Sequence, residues 1–136
     1  MVGFVYHCRV YFGDTDGAGV VYFARVLDFC HAAYEESLRE KGIDMTEFFQ
    51  RQPLAFPIIN CAMRFCKPIF CGDLLTITLT GKQTEVAEFV TCYQIKVGEE
   101  LKAEGSLRHC CIDRNTRQRA PLPPYILEWL AGLGIP

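Results

Sequence analysis

FGDTDGAGVVYFARVLDFCHAAYEESLREKG, residues 12–42, joins a loop rich in glycine and aspartate to a segment with helical periodicity. At 100° per residue, Phe23, Val26, Leu27, Cys30, Ala33, Tyr34 and Leu38 fall on one broad face, and Arg25, Asp28, Glu36, Arg39 and Glu40 on the other. The spacing predicts a helix over 22–41. Gly42 suits a left-handed C′ stop, and Arg39 and Lys41 suit the negative end of the helix. Its start is unusual. Val20, Val21 and Tyr22 occupy the junction, so no Ser, Thr, Asp or Asn caps the first amides, which leaves them open to an incoming oxygen.

Strand patterns lie on both sides of this helix. Residues 4–12, FVYHCRVYF, have the β-branched and aromatic richness of a strand. A short second helix is expected around 44–51, before Pro53, and strand character follows from Leu54 to Phe65. Leu75, Ile77 and Leu79 alternate with Thr76, Thr78 and Thr80; Phe89, Tyr93, Ile95 and Val97 share one parity, with Thr91 interrupting. Beyond a short connection at Gly98-Glu99-Glu100, Leu101, Ala103, Gly105, Leu107, His109 and Cys111 share one face of a last strand. Pro123 and Pro124 precede a C-terminal helix over 125–133. One strand, a long helix and then a run of antiparallel strands describe a single α+β domain over 1–136, with the helix packed on a curved antiparallel sheet.

Composition narrows the function. Half of the 136 residues are apolar and 12% are aromatic, enough for a packed core. The formal charge of −2, from 14 basic and 16 acidic residues, lacks the basic excess of a nucleic-acid binder. The N-terminus reads as a strand rather than a signal peptide, and no stretch reaches the roughly 18–20 apolar residues of a membrane span, so a cytoplasmic protein is expected. Eight cysteines show no C-x-x-C pair and no zinc spacing. They are read as reduced, small core hydrophobes, and no metal is expected.

The loop carries the chemistry. Hydrolysis of a thioester builds charge on the carbonyl oxygen, which needs donors placed in advance, and it needs a carboxylate or a carboxylate-activated water to attack carbon. Asp14 and Asp16 precede an uncapped helix, although turn aspartates also serve their own backbone. Asp14, Asp16, Gly19, Val21, Tyr22 and Phe23 match in register the D-x-D-x-x-G-x-V-[WY]-[FYH] loop of the 4-hydroxybenzoyl-CoA thioesterase family, which this chain resembles; Arg64-Phe65, Pro68 and Gly72-Asp73 extend the likeness. The resemblance implies a hot-dog fold, a long central helix wrapped by a five- to six-stranded sheet. It implies Asp16 as catalytic carboxylate, the Phe23 backbone N–H as carbonyl-polarising donor, Asp14 as loop-shaping, and Gly19, Tyr22 and Arg64 as substrate contacts. No cofactor is implied, since coenzyme A is part of the acyl-CoA substrate. The loop is most similar to the branch acting on 1,4-dihydroxy-2-naphthoyl-CoA in phylloquinone synthesis. Members associated with the Tol–Pal system usually carry His where this chain has Phe23.

Other candidates rank lower. Cys30 and His31 diverge by 100° on a helix and cannot form a nucleophile pair. Glu35, a position type used as the acid in some hot-dog enzymes, reads as a solvated or interface carboxylate. His7 and His109 read as packing or surface residues, with His109 placed to line a pocket. Arg64, Lys67, Arg108, Arg114, Arg117 and Arg119 are candidates for the coenzyme A phosphates. A binding module without hydrolysis has no use for Asp16, and the D-x-x-x-x-H pattern of a hot-dog dehydratase is missing. One helix covers one sheet face only, so the sheet's edge and outer face need cover, and the resemblance implies edge-to-edge dimers and a homotetramer of two such dimers.

Overall fold

The computed structural model describes residues 3–136. Five antiparallel strands form one sheet in the order β1-β4-β5-β6-β3: β1 (Phe4–Arg9), β3 (Ile58–Phe65), β4 (Leu74–Glu85), β5 (Glu88–Val97) and β6 (Glu100–Cys110). β2 (Leu54–Ala55) and β7 (Ile112–Asp113) make a two-stranded flap. The helix α1 (Phe23–Glu40) lies on one sheet face, and α2 (Pro124–Leu133) packs beside it near β4.

Alternation decides the layers. Leu75, Ile77, Leu79, Phe89, Tyr93, Ile95, Ala103, Leu107 and His109 point inward and are buried against Val26, Cys30, Ala33, Tyr34 and Leu38 of α1. Thr91, which interrupts the apolar parity of β5, is buried with them. Its hydroxyl meets the Tyr93 hydroxyl at 2.9 Å and donates to the Leu107 carbonyl at 3.3 Å, so the sheet tolerates it. Trp129 of α2 donates its indole N–H to Ser37 Oγ at 3.0 Å, tying the two helices together. The outer face carries Thr76, Thr78, Thr80, Gln94, Lys96 and Glu104, and is polar.

Several expectations need correcting. The first strand ends at Arg9, because Tyr11 caps a single helical turn over Phe12–Asp14. The run from Leu54 to Phe65 is broken after Ala55, where Phe56-Pro57 intervene before β3. The short second helix is present, but wound wide over Glu47–Arg51. Cys61, Cys66 and Cys71 are exposed rather than core, since β3 and the turn after it lie at a sheet edge; Cys30, Cys110 and Cys111 are buried as expected. Phe23, assigned to the apolar helix face, is 61% exposed because the helix start overhangs the sheet.

Candidate functional site

The loop before α1 is a small closed structure. Asp16 N–H donates to the Val20 carbonyl at 2.9 Å, and Thr15 bridges Val21 in antiparallel fashion. Gly17 and Gly19 take positive φ of 92° and 86°, which side-chain-bearing residues rarely adopt, so this tight reversal requires them. Val21 N–H reaches the Ile69 carbonyl at 2.8 Å, and Cys71 N–H reaches the Gly19 carbonyl at 3.0 Å, pinning the loop to the turn before β4.

Asp14 is an internal strut. Its Oδ2 accepts the Tyr11 N–H at 2.9 Å, its Oδ1 lies 3.4 Å from Arg25 Nε, and its carbonyl accepts the Tyr22 N–H at 3.1 Å. Asp16 is different. Only its Oδ1 is engaged, by the Ala18 N–H at 2.9 Å, and the side chain faces solvent in the single chain. This short Asx-type bond fixes the carboxylate's direction and leaves Oδ2 bare among the described residues.

Tyr22 is the N-cap, extended at φ −64° and ψ 133°, with no side-chain cap bond. Arg25 N–H turns back to the Tyr22 carbonyl at 2.8 Å. The N–H groups of Phe23 and Ala24 meet no acceptor among the described residues. Bare amides at the start of an 18-residue helix carry the positive end of its dipole and suit a developing oxyanion. Beside them lies an apolar cavity of about 260 Å³ between Val20, Phe23, Val26, Phe65, Pro68 and Ile69. Phe23 and Phe65 line it edge-on to each other with centroids 6.4 Å apart, and Tyr22 packs at a tilt on Phe23, with centroids 4.9 Å apart.

Backbone bonds hold Asp16 and Gly19 in the closed loop that leads into Tyr22 and Phe23, and of these four Phe23 lines the cavity. Arg64 lies apart. Phe65 faces Ala103 on the core side, so Arg64 projects to the opposite sheet face, where it meets Glu104 at 2.6 Å. The other basic candidates are mostly committed: Lys67 to Glu100 at 2.9 Å, Arg108 and Arg119 to Glu88 at 3.5 and 2.7 Å. The Arg114 guanidinium donates to the carbonyls of Gln52, Leu54 and Phe48 at 3.0, 3.3 and 3.4 Å, and so is a structural clamp. Arg117 alone of the six has no such partner among the described residues.

A second cavity, of about 290 Å³, was not foreseen as a whole. It lies at the start of β3, walled by Tyr34, Phe48, Phe49 and Phe56, with His31 and His109 among its lining. Its residues come from four separate stretches, of which the sequence singled out one lining residue, His109. His109 is buried, as its strand parity implied. Its Nδ1–H donates to the Phe56 carbonyl at 2.9 Å, and its ring is stacked between Phe89 and Tyr34. Burial pushes its pKa down to about 4.

An uncapped central helix, a carboxylate loop before it and a five-stranded antiparallel sheet around it define a hot-dog thioesterase architecture. Residues 10–130 match the model of the Thioesterase-like superfamily, and the chain belongs to that family. Among its relatives, the 1,4-dihydroxy-2-naphthoyl-CoA hydrolase of Nostoc punctiforme is 43% identical over 129 residues, covering 95% of this chain and 87% of the relative. The enzyme of the same name from Acaryochloris marina is 47% identical over 120 residues, covering 86% and 88%. The crystal structure of a 1,4-dihydroxy-2-naphthoyl-CoA thioesterase from Synechocystis superposes with a TM-score of 0.90 at 36% identity, over 98% of both chains.

Proposed function

We propose that this chain hydrolyses an aromatic acyl-CoA, best matched by 1,4-dihydroxy-2-naphthoyl-CoA in the route to phylloquinone, and works in the cytoplasm. The observation that carries this reading is the pairing of a fixed, half-free carboxylate at Asp16 with two unclaimed amides at the start of α1. The relatives named above, similar over nearly the whole chain, support the choice of acyl group.

The thioester carbonyl oxygen sits on the Phe23 N–H, and the carbonyl carbon faces Asp16. Asp16 either attacks that carbon, giving a mixed anhydride that water then opens, or removes a proton from the attacking water. In both routes the C–S bond breaks as the oxyanion collapses. Coenzyme A leaves as thiolate and takes a proton from solvent, and the acid is released. Gly19 allows the loop to fold tightly enough to bring Asp16 and the helix start together, and Tyr22 and Phe23 shield the carbonyl from water. Losing an oxyanion donor of this kind typically costs about 10²–10³ in rate. Coenzyme A phosphates meet side chains at the surface.

One chain leaves Asp16 open to water, where the carboxylate is well solvated and a poor catalyst. The natural cover is a second copy. β3 is an edge strand exposed along nearly its whole length, with Ile58, Ile59 and Phe65 each more than 40% exposed and no proline to protect it. Pairing β3 with its copy about a two-fold axis closes this edge, and a homotetramer of two such dimers follows the pattern of the fold. Light scattering after size-exclusion chromatography tests this: a mass near 15.5 kDa with full activity contradicts it.

The direct test of function is hydrolysis of a panel of dihydroxynaphthoyl-, hydroxybenzoyl- and fatty acyl-CoA thioesters, followed by thioester absorbance. Thiol reagents would report the native cysteines as well. Naphthoyl preference supports the reading, and preference for a fatty acyl chain overturns the choice of substrate.

A further inference from the structure

The cavity at the start of β3 contains more chemistry than core packing requires. Its walls are aromatic, and one side is polar. His31 Nδ1 and Glu35 Oε2 are 3.0 Å apart, one helical turn along α1. An ionised carboxylate only accepts, so the proton of this bond lies on Nδ1, and Nε2 is the ring's free atom. The ring is held in place by Tyr34 and Phe49, with centroids at 5.3 and 6.0 Å. Two further polar atoms in the same wall, Tyr34 Oη and His109 Nε2, are buried without a partner among the described residues. His109 Nδ1 already donates to Phe56, so its neutral Nε2 is an acceptor left unsatisfied.

We propose that His31, oriented by Glu35, is the residue that recognises a ring hydroxyl of the aromatic acyl group, with the Tyr34–Phe49–Phe56 cavity holding the ring. This rests on the reading of the protein as an aromatic acyl-CoA thioesterase. Geometry decides which active site the cavity serves. It lies by Pro57 and Ile58, at one end of β3, whereas the cavity at the start of α1 lies by Phe65 and Cys66, at the other. Eight strand residues span roughly 23 Å, too far for one acyl group to bridge within a chain. An antiparallel pairing of β3 with its copy about the strand's middle sets Phe65 of one protomer opposite Ile58 of the other. The two cavities then abut, and the ring of a thioester bound at one Asp16 enters the aromatic cavity of the partner. With Nδ1–H committed to Glu35, the free Nε2 of His31 accepts a hydrogen bond from the ring hydroxyl.

The test compares kcat/KM for 4-hydroxy-2-naphthoyl-CoA and 2-naphthoyl-CoA, which differ by the hydroxyl alone, in the wild type, His31→Phe, His31→Leu and Glu35→Gln. A site built to bond a hydroxyl discriminates against the analogue lacking it, here by about tenfold or more. His31→Phe and His31→Leu should each reduce that ratio to below about threefold. Glu35→Gln, whose side-chain oxygen still accepts from Nδ1, should keep most of it. His31 is half-exposed, so either apolar variant can fold, which thermal melting checks, and the pair guards against a failure of one. A wild-type ratio near one, or a ratio unchanged in both His31 variants, overturns the proposal. Failure of the wild type to hydrolyse either thioester overturns the functional reading instead, so the two failures are separable.

Discussion

His109 should make the protein sensitive to mild acid. Its ring is buried, with 1% of its surface exposed, and desolvation holds its pKa at about 4, against the opposing pull of the bond to the Phe56 carbonyl. An unfolded chain has the ordinary value of about 6.5. Between these values the unfolded chain binds a proton that the folded one refuses, so stability is complete above about pH 6.5 and falls as the pH drops towards 4. At about 1.4 kcal/mol per pH unit the full loss is about 3 kcal/mol, of which about 2 kcal/mol is gone by pH 5. Urea unfolding at pH 8 and pH 5 measures it. His109→Asn serves as the control, since its amide can reach the Phe56 carbonyl and carries no titrating group. Carboxylates and the other two histidines contribute to both proteins and cancel in the difference. Equal losses of stability in wild type and variant between the two pH values would refute the reasoning.

Gly105 faces β3 so closely that an added Cβ would strike the Ala62 carbonyl and lie 2.8 Å from Met63 Cα. Gly105→Ala should therefore destabilise by about 1–3 kcal/mol, read from chemical denaturation, and loosen β3. Asp14→Ala removes the acceptor of the Tyr11 N–H and the partner of Arg25. It should cost roughly 1–2 kcal/mol in melting experiments and lower kcat by displacing the Asp16 loop; Asp14→Asn should recover part of both. Of the eight cysteines, Cys71, on the turn before β4 and clear of the paired β3 edge, should react fastest with a mild thiol reagent followed by peptide mass analysis, and Cys30, Cys110 and Cys111 only on unfolding.

The long helix and its ends were legible because every determinant is local: period 3.6 over Val26 to Leu38, no cap at Tyr22, and a left-handed Gly42 whose N–H reaches the Arg39 carbonyl at 2.9 Å. The later strands were legible from period-two alternation. Burial at the sheet margins was not, because it depends on which strands are edges. The same short apolar residues read as core in Cys61 and Cys66 lie exposed on and just after β3, and Phe23 overhangs the sheet instead of packing on it. Asp16, Gly19, Tyr22 and Phe23 could be grouped from sequence since they are neighbours in the chain. Arg64 could not be placed without its strand parity, which sends it to Glu104 on the far face. The aromatic cavity was invisible for a stronger reason: His31, Phe49, Phe56 and His109 converge only when α1 crosses β6.

The central claim is that one carboxylate, set by the Ala18 N–H against unclaimed helix amides, drives thioester cleavage. Asp16→Asn keeps the size of the side chain and its bond to Ala18 and removes the charge. Single-turnover hydrolysis of 1,4-dihydroxy-2-naphthoyl-CoA should slow by about two orders of magnitude or more, with thermal melting and substrate affinity little changed. A rate within tenfold of the parent would contradict the account.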